Sequence, residues 1–218
     1  MALRKRMILA AAVLCIAAAA VTVVVLFHKD RDGLLKKNGD QTEYTIENSV
    51  DVLAGLEDSR WKEMSLEERL DLARLIKNIE VCYLGIPHGV AVELGDADGV
   101  LAKYSDTDKQ ILIDAEYLSR ATGREVLHTV CHEMYHAYQY RLCEAYDSVG
   151  DEYKDLLIFA NVDDYRYEME NYIDVSEDEE AHSRQKLEEN ADSYADDAVG
   201  DYFRKINLFL HKEESNGE

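Results

Sequence analysis

Hydrophobic positions follow three different patterns along this chain. From Met7 to Phe27 there is no periodicity, because no side chain is charged and all but Thr22 are apolar. At 1.5 Å per residue this stretch makes a helix about 30 Å long, the thickness of a bilayer's hydrocarbon. The pattern predicts a transmembrane signal-anchor over 7–27, behind a short basic tail over 1–6. A cleaved signal peptide is the competing reading, with Ala17 to Ala20 as its small-residue site. Its apolar region would be shorter, roughly 7–15 residues, whereas here it continues through Leu26 and Phe27. Arg4, Lys5 and Arg6 precede the span, and Lys29, Arg31, Lys36 and Lys37 follow it, so the basic bias is nearly balanced. The shortness of the tail favours a single-pass protein of the cell membrane, with the following domain extracytoplasmic.

Residues 28–46 are polar, contain Gly33 and Gly39, and read as a linker. A helical period then begins with Val50, Leu53, Ala54 and Leu56. Ser65 with Glu68 is a capping box opening a helix whose Leu66, Leu70, Ala73, Ile76 and Leu84 share one side; Pro87, after Gly85, closes the region. Between Gly89 and Ala115 the apolar runs shorten to Val90–Leu94, Val100–Tyr104 and Ile111–Ile113, with turns at 95–99 and 105–109. Such spacing predicts a three-stranded antiparallel meander. Asp96-Ala97-Asp98-Gly99 lacks the later ligands of a calcium loop and reads as a turn. A second capping box, Thr122 with Glu125, opens a helix predicted over Gly123 to Cys143. The insert 144–182 is acidic and tyrosine-rich, with short helical pieces at Tyr153–Phe159 and Tyr165–Tyr172 and a solvated acid run at Asp174–Glu180. A last helix is predicted from His182 to Leu210. The fold class is α+β, with one domain over 47–212 and a disordered tail over 213–218.

Composition narrows the function. With 218 residues, 47% of them hydrophobic, the chain can bury one real core. A formal charge of −21 argues against a nucleic-acid partner, which requires clustered Lys and Arg. Four cysteines, one of them Cys15 in the apolar stretch, form no regular framework; a Cys82–Cys143 bridge stays open.

The chemistry lies in His132-Glu133-Met134-Tyr135-His136, an HExxH motif. Residues i and i+4 share a helix face, so both imidazoles reach one metal ion. Glu133 points about 100° round the helix, towards a water on that metal. Zinc lowers the pKa of such a water to about 7, and the carboxylate can take its proton as general base. His128 lies one turn earlier, but one straight helix cannot wrap three successive turns around an ion, since the outer two are about 12 Å apart. Cys131 reads as a small buried residue. Among the fourteen tyrosines, nothing in the sequence picks out one that assists an oxyanion.

Downstream stands Leu187-Glu188-Glu189-Asn190-Ala191-Asp192-Ser193-Tyr194-Ala195. Together the two motifs resemble the zincin metallopeptidases of the gluzincin branch, and the second is similar to the ImmA/IrrE-type Glu-Glu-x-Ala-Asn-x-Phe-Ala. Asp192 and Tyr194 depart from that pattern, and the stretch between His136 and Glu188 is longer than in compact members. The resemblance covers the two motifs, not the rest of the chain. It implies a zincin-like domain with Zn2+ as cofactor and a peptide or protein as substrate. It also implies Glu188 as third metal ligand, with Asp192 supporting a zinc-bound histidine. Glu188 and Asp192 share a helix face; Glu189, the alternative ligand, points elsewhere. The expected function is therefore a membrane-anchored zinc metallopeptidase, an endopeptidase before an exopeptidase. Two rivals stand beside it. One is a zincin-like module that binds a partner without hydrolysis. The other is a di-iron carboxylate protein using Glu133/His136 and a second Glu-x-x-His at Glu179/His182.

Overall fold

The computed structural model describes residues 44–86, 89–97 and 99–216. The predicted tail, anchor and most of the linker lie outside the described residues. Thr45 accepts from the Asn48 amide and starts α1 (Ile46–Leu53), so helix begins at the edge of the predicted linker. A 3-10 turn over Ala54–Leu56 follows, then the short α2 (Asp58–Trp61). Trp61 is buried and donates its indole N–H to the Ala121 carbonyl at 2.7 Å, so its one polar atom is satisfied. The predicted capping box is present at Ser65 and opens α3 (Leu66–Tyr83), which buries Leu70, Leu72, Ala73, Ile76 and Ile79.

The sheet differs from the predicted meander. Strands β1 (Ala91–Gly95), β2 (Ala102–Ser105) and β3 (Gln110–Asp114) lie in the order β1-β3-β2. β2 and β3 form the expected antiparallel pair, but β1 runs parallel to β3 on its other side. Consecutive apolar runs do not say which strand takes the centre. Ile111-Leu112-Ile113 does, because it is the most apolar run; Glu93 and Lys103 then flank Leu112 from the two edge strands. Gly95, the end of β1, and Ala102, the start of β2, therefore lie on opposite sides of β3, about two strand spacings or 9.6 Å apart.

Asp114 caps α4 (Ala115–Arg120), and Thr122 opens α5 (Gly123–Ser148) with the second capping box. The start of α5 lies against the Leu56 turn so closely that a Cβ on Gly123 would stand 2.4 Å from the Leu56 carbonyl oxygen. The acidic insert contributes two 3-10 turns (Asp151–Tyr153 and Leu157–Phe159), α6 (Val162–Glu170) and α7 (Glu179–Ser183). His182 therefore belongs to a separate short helix. The last helix, α8 (Lys186–Asn216), starts later than predicted and runs past residue 212. One core joins α1, α3, the sheet, α4, α5 and α8; a smaller one gathers Leu142, Phe159, Val162, Tyr165 and Leu187 around the end of α5. The result is α+β, mostly helical with a small mixed sheet. Among the described residues no disulfide joins Cys82, Cys131 or Cys143, so the Cys82–Cys143 bridge is absent. Among the described residues no helix is long and apolar enough to cross a membrane.

Candidate metal centre

Two long helices build the site. α5 presents His132 and His136 from adjacent turns of one face, and α8 lies along it with Glu188 in its first turn. That first turn is fixed from outside: the Glu168 carboxylate of α6 accepts from the Lys186 and Leu187 amides, both at 2.8 Å, as a helix cap does. Glu188 is buried and faces the histidines, whereas Glu189 is exposed and pairs with Lys186.

The Nε2 atoms of His132 and His136 are 3.0 Å apart. Oε2 of Glu188 lies 3.2 Å from the first and 3.6 Å from the second. Atoms bound about 2.0–2.1 Å from one tetrahedral ion stand roughly 3.3–3.4 Å from each other. The triangle thus has the size of one face of such a tetrahedron, and among the described residues it is the group of three that could hold a metal ion.

The outer nitrogens decide what the inner ones offer. Nδ1 of His132 is 2.8 Å from Oδ1 of Asp192. A carboxylate can only accept, so the ring proton sits on Nδ1 and Nε2 presents a lone pair. Nδ1 of His136 is 2.8 Å from Oε1 of Gln139, whose amide nitrogen donates to the Leu187 carbonyl at 2.8 Å. The same argument leaves a lone pair on Nε2 of His136. Two lone pairs and a carboxylate oxygen therefore converge in a nearly closed space, and they repel unless a cation lies between them. In metal-free protein that cation is a proton. Burial works to lower the pKa of His132, but hydrogen bonds to Asp192 and Glu188 outweigh it and push it up to about 10. His136 is likewise raised, burial opposing and Glu188 prevailing. Burial would raise the Glu188 carboxyl; the two histidines instead hold it well below the usual carboxylate range. The donor set fits a divalent ion that binds imidazole and carboxylate.

Glu133 is buried, and its charge acts on His132, His136 and Tyr172, which places it beside the same centre. His128 is outside the group of three. Its ring stacks on His132 at 6.4 Å and its Nε2 is 3.4 Å from Asp196. Cys131 points to the opposite side, where it and the Tyr194 and Tyr202 hydroxyls donate to the buried carboxylate of Glu80 on α3. Burial pushes Glu80 up against those three donors. Glu80 thereby ties α5 and α8 together just behind the site.

The second Glu-x-x-His divides. His182 reaches the centre, with Nε2 at 3.6 Å from Oε2 of Glu188, while Glu179 is exposed. Tyr172 also arrives from the insert, donating its hydroxyl to Oε1 of Glu188 at 2.8 Å. Sequence reasoning missed Tyr172, Gln139, Glu168 and Glu80, and gave His182 a different role. Gln139 had a readable signal: it is a polar residue three positions after His136, on the same helix side as the two motif histidines. Tyr172 and His182 had none, because an irregular segment carries Tyr172 and a five-residue helix set apart from α8 carries His182. No family model, curated protein or solved structure matches this chain.

Proposed function

We propose that this protein is a zinc metallopeptidase, anchored in the cell membrane by residues 7–27 with its catalytic domain extracytoplasmic. The observation that carries the proposal is the convergence of His132, His136 and Glu188, tautomers set by Asp192 and Gln139, with the Glu133 carboxylate beside them. Two imidazoles and one carboxylate leave a fourth position free, the ligand count of a catalytic zinc site. Zinc held there would acidify a water and polarise a substrate carbonyl. Glu133 accepts the proton of the attacking water and returns it to the leaving amine. Asp192 and Gln139 keep the imidazoles in register while this happens. β2 is an edge strand packed on α5, so an extended peptide can add to it beside the site. A groove of about 320 Å³, lined by Leu101, Tyr117, Arg124, His128, Thr129 and Val199, begins one helical turn from His132 and offers room for a substrate side chain.

The test is peptide hydrolysis by the full chain in detergent. Glu133→Gln should lower kcat by about 10²–10⁴-fold, the usual worth of a general base, while metal content stays at the wild-type level. Full activity in Glu133→Gln would refute the mechanism. The non-catalytic reading predicts bound metal and no cleavage from a broad peptide library. The di-iron reading loses support from the exposure of Glu179.

A further inference from the structure

The acidic insert returns to the metal centre as a strap over residues 171–185, and its backbone is clamped at one residue. The Ile173 amide donates to Oε1 of Gln185 at 2.9 Å, and Nε2 of Gln185 donates back to the Ile173 carbonyl at 3.0 Å. The Nδ1–H of His182 donates to the same carbonyl, also at 3.0 Å. Three hydrogen bonds thus lock Ile173 between α7 and the start of α8. Its neighbour Tyr172 is delivered to Glu188 from one side and His182 from the other, and the two rings meet edge to face at 5.7 Å.

What the strap touches is one carboxylate, on both oxygens. Tyr172 donates to Oε1; Oε2 faces His132 at 3.2 Å and both His136 and His182 at 3.6 Å. A carboxylate whose second oxygen is free can swing to bind an ion through both oxygens, adding a ligand and using the position a catalytic site keeps open. With Oε1 held by a phenol, only Oε2 is available. His182 touches Glu188 alone of the three ligands. Because its Nδ1 is the donor, its Nε2 presents a lone pair to the same region as the other two imidazoles.

We propose that Tyr172 is a positioning residue of the metal centre: it holds Glu188 to one-oxygen ligation, and the strap clamped by Gln185 exists to keep it there. The inference rests on the metal reading of His132, His136 and Glu188. It gives the insert a definite task, since without the insert Glu188 would lose the donor on its outer oxygen.

The experiment uses the full chain with cobalt(II) in place of zinc, because cobalt absorption reports coordination number. Wild type is expected to bind one cobalt with the strong visible bands of a four-coordinate site. Tyr172→Phe should still bind one cobalt, with affinity lowered about 10–100-fold, the usual effect of removing a partner of a metal ligand, and with weaker bands as Glu188 turns to two-oxygen ligation. Gln185→Ala, which frees Ile173 without touching Glu188, should shift affinity and bands in the same direction. Tyr167→Phe, at a tyrosine that is 68% exposed, should change neither. Unfolding of the metal-free forms separates this from misfolding: a Tyr172→Phe protein as stable as wild type yet weaker for cobalt supports the inference. Affinity and bands unchanged in both Tyr172→Phe and Gln185→Ala overturn it while leaving the metal reading intact. A wild-type chain that takes up no cobalt overturns both.

Discussion

At His132 and His136 the atom on the outer side of each ring decides the chemistry of the inner side. Asp192 and Gln139 accept from the Nδ1 atoms, so both Nε2 lone pairs point at Glu188 and a cation must join them. In metal-free protein the proton on His132 takes that role, with a pKa of about 10 in place of the ordinary 6.5. The sign follows. This raised pKa adds stability to the metal-free fold that is fully present below pH 6.5 and is lost as pH rises through about 10. Metal must displace the same proton, so metal uptake is opposed over the whole of that range. Zinc affinity is expected to rise at least about tenfold per pH unit between about pH 6.5 and about pH 8.5, one proton leaving His132 and a second wherever His136 is also protonated. Competition against a chelator of known pH dependence measures it. A flat profile would mean that His132 is already neutral in the metal-free chain.

At the scale of elements, the site depends on how α5 and α8 are set against each other and against the α1–α2 turn. Gly123 is the tightest point, because only a hydrogen fits beside the Leu56 backbone. Gly123→Ala should therefore destabilise the fold by about 1–3 kcal/mol through forced backbone movement, although alanine is the better helix former by roughly 1 kcal/mol. A lowered urea midpoint at unchanged slope is the expected reading; a raised midpoint would show that the turn yields freely. Both capping boxes and both motif helices were legible in the sequence, since Ser65/Glu68, Thr122/Glu125 and the His132/His136 spacing are local signals. The distinction between Glu188 and Glu189 was legible too, because a helix face separates them. Strand order was not, as it depends on which apolar run takes the sheet centre. Nor were Tyr172 and His182, whose arrival at Glu188 depends on loop hydrogen bonds through Ile173 and Gln185.

For the whole molecule, the residues that could hold a metal, His132 and His136 on one side and Glu188 on the other, lie more than 50 positions apart in sequence, so metal binding would be linked to the fold. An ion bound by His132, His136 and Glu188 joins α5 to α8, while Glu80 braces the same two helices from the other side. Binding energy for such an ion becomes folding energy. The insert reaches this same junction through Glu168, Tyr172 and His182, and the proposed activity stands or falls with it. The most direct measurement is elemental mass spectrometry of the full chain, purified in detergent without chelator, beside Glu188→Ala. One zinc per chain, lost or much weakened in Glu188→Ala, is the predicted result. Two irons per chain, or no metal in the wild-type protein, would contradict it.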